Sequence, residues 1–271
     1  MGIQLFFGEA HMRSRLYPLA AGNFAIGTGT FVTAGLLAPI SADLGVSRPA
    51  AGQLMTVFAL AYAVLSPVLA ALTARMSRRT LLLLAMVVFV AGNVLTALAP
   101  TYALVLITRV VAAAGAAMFT PTSSAVANAL SAPERRGRAL ALVMGGLSVS
   151  SAIGVPLGTW LGEAVSWRAT LWLVAGLGVL GLAGVATLVP ELRLPASGRL
   201  RERFEPLRDR RVPAVMVTQL LLFAAGFTAY TYIGSLFDLP LAALLWAWGG
   251  WAASWATCWA GGSPTRTAPA A

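Results

Sequence analysis

Arg109 lies inside ALVLITRVVAAAGAAMF, residues 103–119, where fifteen of seventeen residues are apolar or glycine. A guanidinium in such surroundings stays charged, so it must meet a polar partner, a water-filled cavity or a membrane surface. Its charge would also favour the ionised form of any acid beside it. The chain supplies few candidates for that acid. Within the apolar blocks described below there is no Asp or Glu, and Asp43 and Glu163 fall at block ends. Arg109 is therefore the residue whose type and setting could do chemistry.

The other reactive types are sparse. A single His, His11, near the amino terminus and a single Cys, Cys258, exclude an internal disulfide and a familiar zinc site. No nucleophile–base pair stands within the apolar blocks, so no enzyme activity, cofactor or metal is expected. The net charge of +10 raises the question of nucleic acid. Its nineteen Arg, with no Lys, fall in short loops rather than on one basic domain, so nucleic acid is not an expected partner.

The elements that must position Arg109 follow from composition. Of 271 residues, 58% are hydrophobic and 10% charged, and the mean hydropathy is +0.80. A soluble domain carries about 25% charged residues. Eight apolar blocks run at 16–40, 51–73, 80–99, 102–130, 139–162, 169–189, 213–236 and 239–256. About 20 helical residues cross a hydrocarbon core of ~30 Å, so seven blocks are long enough and the last is marginal. Fifteen Arg lie before block one or after blocks two, four and six; only Arg48 and Arg168 lie in the opposite loops. The positive-inside rule then predicts a multi-pass protein with a cytoplasmic amino terminus, and the location expected is a bacterial plasma membrane.

This divides the chain into a cytoplasmic terminus at 1–15, a six-helix transmembrane bundle at 16–189, a linker at 190–212, a partial second bundle at 213–256 and an irregular tail at 257–271. The opening residues lack the basic region and cleavage site of a signal peptide, and Met12 offers an alternative start to Met1. The charged, Pro-interrupted linker reads as a solvated loop, or as a basic face against anionic headgroups. Five of the eight Trp fall between 246 and 259. One reading is an interfacial aromatic belt. The other is a frameshift near residue 249, because GC-rich codons for GWAASWATCW can be chosen that spell VGGVVGNLL in the neighbouring frame.

Four segments between residues 13 and 248 resemble the major facilitator superfamily, and within it the drug:proton antiporters of the arabinose-efflux and chloramphenicol-efflux type. GTGTFVTAGLLAPISADLGVS, residues 27–47, is similar to that group's first helix and outer loop, with Thr30 where many relatives carry an acid. LTARMSRRTLLL, residues 72–83, resembles the signature loop G-x-L-x-D-R-x-G-R-R through Arg75, Arg78 and Arg79; Ala70, Ala74 and Ser77 stand for its glycines and aspartate. The resemblance implies a cytoplasmic latch, and positive-inside anchoring is the plainer reading. Around Arg109, Gly115 also matches the helix-four pattern R-x-x-Q-G-x-G, with Ala112 and Ala113 replacing Gln and Gly. The resemblance implies that Arg109 couples protonation to substrate binding. Snorkelling to the outer headgroups is the alternative. GGLSVSSAIGVPLGTWLGEAVSWRATLW, residues 145–172, resembles the antiporter signature of helix five through Gly146, Gly154, Pro156 and Gly158. These residues imply close helix packing and a bend.

Polar residues at membrane depth, Asn23, Gln53, Asn93, Asn128, Gln219, Tyr230 and Tyr232, are either interhelical hydrogen-bonders or transport-path contacts; Pro121 is expected to kink helix four. The fold expected is an all-α polytopic membrane protein: a major-facilitator-type six-helix bundle plus one or two helices of an incomplete second bundle. The function expected is proton-coupled efflux of small, drug-like or sugar-like molecules, with the lipid bilayer, protons and a small-molecule substrate as partners. The alternative is a non-transporting, truncated membrane fragment of such a transporter.

Overall fold

The computed structural model describes residues 2–192, 209 and 211–237, and these form helices without a strand among them. The helices are α1 (Gly2–Phe31), α2 (Leu37–Leu44), α3 (Arg48–Leu72), α4 (Arg78–Leu98), α5 (Tyr102–Leu130), α6 (Arg136–Val149), α7 (Val155–Ala164), α8 (Trp167–Leu188) and α9 (Arg211–Phe237). Six spans are long and apolar enough to cross a membrane. They are span I at Ser14–Leu44, span II at Arg48–Leu72, span III at Arg78–Leu98, span IV at Tyr102–Leu130, span V at Pro133–Ala164 and span VI at Trp167–Leu188. They coincide with the first six apolar blocks. The seventh block coincides with α9; the eighth block and the tail lie outside the described residues.

The boundaries follow hydroxyl caps more closely than hydropathy. Ser47, Ser77, Thr101 and Ser166 each accept a hydrogen bond from the backbone N–H three residues on, and so start spans II, III, IV and VI. That draws Arg48, Arg78 and Trp167 into first turns, ahead of where the apolar blocks begin. Gly45, at φ +63°, closes α2 in the left-handed region, where a side chain is strained. At the other end α1 starts at Gly2, so the segment 1–15 expected as a terminus is largely helical. Nothing between Gly2 and Arg15 except Gly8 opposes a helix.

Two spans are interrupted, each at a proline. Span I passes through a 3-10 turn at Val32–Leu36 before α2. Pro39 has no N–H to donate to the carbonyl of Gly35, so a tighter turn ahead of it costs little. Span V widens into a π-helical turn at Ser150–Gly154, just before Pro156. Pro156 likewise cannot donate to Ala152. By contrast Pro121 stands within a helix that continues to Leu130.

The spans pair in a repeating pattern. Span III packs on IV and VI, II on IV, and I on V and VI. II on IV is matched by V on I, and III on IV by VI on I. This is the pairing of two three-helix units related by a pseudo-two-fold axis, and an odd number of spans per unit inverts the second in the membrane. Phe89, Phe119, Met86 and Leu82 fill the centre. Leu60, Leu72, Ile107, Trp160 and Leu180 point outward with over half their surface exposed, as lipid-facing side chains do. Asn23 ties three spans together: its Nδ2 donates to Ser123 Oγ at 3.0 Å and to the Val143 carbonyl at 3.1 Å.

Candidate functional site

Arg109 stands two turns into α5, roughly 10 Å from its Tyr102 end. It is 3% exposed. The guanidinium does not snorkel; it reaches across to span I. Nη1 and Nη2 donate to the Gly29 carbonyl at 3.3 and 3.4 Å, and Nη2 also donates to Thr33 Oγ1. From span II the Phe58 ring lies under the charge, its centroid 5.6 Å from Cζ. A cation over an aromatic face in a dry site is stabilised by about 2 kcal/mol. Spans I, II and IV thus meet at one charge.

Local sequence explains this convergence. Thr30 bonds back to the Ile26 carbonyl of its own helix at 2.7 Å. Thr33 is one turn further on, inside the 3-10 segment, and is the residue that faces Arg109. Ala112 and Ala113 are fully buried beside the arginine. A β-carbon on Gly92 would lie 2.5 Å from Ala112 N, so the small residues serve the close approach of spans III and IV. Gly115 plays the same part against Phe89, at 2.5 Å from its backbone N.

A narrow cleft with room for about one water molecule opens on Arg109. Thr33, Leu54, Thr96, Val105, Trp167 and Leu171 line it. Trp167 also belongs to a second polar cluster. Its indole N–H donates to Asp43 at 3.0 Å, Arg168 pairs with the same carboxylate oxygen, and Arg168 Nη2 donates to the Ala99 carbonyl at 3.2 Å. The Arg168 guanidinium also lies 4.4 Å from the Trp167 ring centroid. One clasp therefore joins the ends of spans I, III and VI. Both charges are about a third or more exposed, at 32% and 44% of their side chains. Asp43→Asn should therefore lower stability by less than about 1 kcal/mol, and the loss should shrink in high salt. Thermal unfolding of the purified variant at two salt concentrations checks this; a salt-independent loss of several kcal/mol would mean the pair is dry.

The other residues singled out in the sequence do not gather around Arg109. Of the signature-loop arginines, Arg75 is exposed. The Arg78 backbone N–H donates to the Leu192 carbonyl at 2.9 Å, and the Arg79 guanidinium donates to the Ala186 carbonyl. Arg78 and Arg79 so fix the loop to the far end of span VI. The helix-five glycines face span I: a β-carbon on Gly146 would stand 2.1 Å from the Ala20 carbonyl, one on Gly154 2.1 Å from Thr28 Oγ1, and one on Gly158 2.7 Å from Val32. Pro156 is half-buried and acts through the backbone, beside the π turn. Asn93 is buried and donates to Phe89 O of its own helix at 2.8 Å. Among the described residues, Oδ1 of Asn93 and Oδ1 of Asn23 have no partner. Gln53 is exposed on α3 and Asn128 half-buried. Gln219, Tyr230 and Tyr232 lie on α9. Thr33, Phe58, Thr96 and Trp167 were not singled out in the sequence, because neither a hydroxyl nor a ring among so many apolar residues marks which way it faces.

A sequence profile of the Major Facilitator Superfamily matches residues 19–266. The inner membrane transport protein YdhP of Escherichia coli is 34% identical over 218 residues, which cover 80% of this chain and 56% of that protein. A chloramphenicol resistance protein of Streptomyces lividans is 35% identical over 222 residues, covering 80% of this chain and 57% of that protein. The chain thus spans about half the length of these curated relatives. Among solved structures, the proton:xylose symporter XylE bound to 6-bromo-6-deoxy-D-glucose superposes with a TM-score of 0.59 at 18% identity, over 68% of this chain and 46% of that one. A peptide transporter in complex with alafosfalin gives 0.58 at 18% identity, over 82% and 48%. The relatives' descriptions speak for membrane transport and lend no support to a non-transporting fragment.

Proposed function

Because this chain belongs to the Major Facilitator Superfamily, we propose that it exports small molecules across the bacterial plasma membrane in exchange for protons. The observation that carries this reading is Arg109, a buried charge held by the Gly29 carbonyl and Thr33 where spans I, II and IV meet. A charge at that depth costs about 2.5–3.5 kcal/mol to insert, a cost a purely structural bundle has no reason to carry. Placed beside a cleft, it can change a ligand's protonation and its binding together. The fifteen-to-two division of loop arginines supports a cytoplasmic amino terminus. The chloramphenicol resistance relative supports export of drug-like molecules. Asn23, Gln53, Asn93, Asn128 and Tyr230 are read as further transport-path positions. The signature loop at Arg75, Arg78 and Arg79 is read as the cytoplasmic latch, and the reading includes neither an enzymatic step nor nucleic acid.

The test is dye accumulation in bacteria stripped of their own efflux pumps. Cells expressing the chain should hold severalfold less ethidium or chloramphenicol than control cells, and a protonophore should erase the difference. Equal accumulation with and without the chain contradicts export. A difference that survives the protonophore contradicts proton coupling.

A further inference from the structure

Pro190 stands just past the end of span VI. Val189, the residue before it, is extended at ψ 122°, as contact with a proline ring requires. Pro190 has no N–H, so it cannot donate to the Ala186 carbonyl four residues back. That carbonyl is one of the unpaired acceptors of a helix end, where partial negative charge gathers. The Arg79 guanidinium takes it, from the first turn of span III. The start of span III has the opposite need. Arg78 opens that helix, and its N–H has no acceptor within it. It donates to the Leu192 carbonyl at 2.9 Å. The end of one span and the start of another thus satisfy each other.

Apolar contacts close the same joint. Val189 is 2% exposed, and Leu192 packs against the main hydrophobic cluster. The linker therefore leaves the bundle from a fixed root, although its composition reads as solvated from Pro190 onward. Arg79 is half-buried, and its Nε is enclosed by the protein. Withdrawing it would break a charge-assisted bond, about twice as strong as a neutral one, and leave the Ala186 carbonyl unpaired. A contact that opens and closes draws on exposed, weakly held groups. Arg75 of the same loop is exposed; Arg78 and Arg79 are not.

We infer that the loop between spans II and III is the standing anchor of the linker. Arg79 and the Arg78 amide hold its root at Ala186 and Leu192 throughout transport, and Arg75 alone is left to the latch. Arg79 is thus a positioning residue for the chain that follows span VI. The statement about transport rests on the export reading; the anchoring does not.

The first test needs no transport. In the full chain in detergent, Arg79→Leu should quicken hydrogen exchange at residues 76–82 at least about tenfold, and Arg75→Leu by less than about twofold. Arg79→Leu should also lower the unfolding midpoint by roughly 5 °C. The loss should fall to less than half when Pro190→Ala lets the chain's own amide take the Ala186 carbonyl. Arg79→Gln, which keeps a donor without the charge, replaces Arg79→Leu if that variant does not fold, with about half the effect. Equal exchange in the Arg75 and Arg79 variants, or an Arg79 effect that Pro190→Ala leaves unchanged, overturns the anchor. The second test asks whether the contact lets go. With Cys258→Ser, a short flexible bis-maleimide joins Thr80→Cys to Glu191→Cys, both at exposed positions. The joined chain should export ethidium from pump-deficient cells as fast as the unjoined one. Export stopped by the crosslink means that the contact opens, and overturns the inference. No export even without the crosslink sinks the export reading, and hydrogen exchange then decides the anchor by itself.

Discussion

Gly146→Ala should destabilise the bundle by about 2–4 kcal/mol, whereas Gly145→Ala, its neighbour in sequence, should change stability by less than about 1 kcal/mol. The difference is geometric. A β-carbon on Gly146 would stand 2.1 Å from the Ala20 carbonyl oxygen and 3.1 Å from Phe24 N; one on Gly145 would meet nothing within 4 Å. The obstacle at Gly146 is backbone, which cannot rotate away as a side-chain tip can. Spans I and V would have to part by about 1 Å, and close packing between membrane helices is what holds them together. The two substitutions add the same methyl group and gain the same helix propensity, so their difference isolates the packing. Thermal unfolding in one detergent compares them directly, with a midpoint difference of roughly 5–10 °C expected. Equal behaviour would mean that Gly146 does not face span I.

The second large effect is on transport. Arg109→Leu keeps most of the side-chain volume and removes the charge. Its effect on stability should be small, because two terms oppose one another. Insertion becomes easier by about 2.5–3.5 kcal/mol, while the bonds to Gly29 and Thr33 are lost, at about 1–3 kcal/mol for groups left unsatisfied. Transport has no such compensation. At an effective dielectric near 20, a unit charge about 4 Å from a ligand charge contributes ~4 kcal/mol. Even half of that exceeds a tenfold change. The variant should therefore appear in the membrane at normal levels and lose at least nine-tenths of its activity.

Much of this fold is legible without coordinates. Block length and loop arginines fix the six spans, because the membrane imposes both. Boundaries were less legible: Ser47, Ser77 and Ser166 start their helices ahead of the apolar residues, since a cap needs a hydroxyl rather than hydrophobicity. Helix pairing was not legible. Leu82 is buried and Leu84 exposed two residues away, and lipid accepts the one as readily as the core accepts the other. The π turn at Ser150–Gly154 was hinted at by Pro156, but whether a proline bends, widens or merely sits in a helix depends on what packs nearby. At Pro121 the helix runs on to Leu130.

The site divides the same way. Arg109 announced itself as a charge in an apolar block. Its partners did not. The Gly29 carbonyl is backbone and leaves no trace in sequence. Thr33 stands one turn beyond Thr30, and only the 3-10 turn at Val32–Leu36 decides which of the two faces the arginine. Gln53 is plain in the sequence as a polar residue in an apolar block, and it stands on the exposed side of α3.

The account turns on Arg109 acting in transport rather than merely surviving in the bundle. Flux into proteoliposomes under an imposed pH gradient, measured side by side for the chain and for Arg109→Leu at matched reconstitution, tests that most directly. The prediction is gradient-driven flux of ethidium or carboxyfluorescein by the unaltered chain and at least a tenfold lower rate for the variant. Gradient-driven flux of equal rate from both would contradict it.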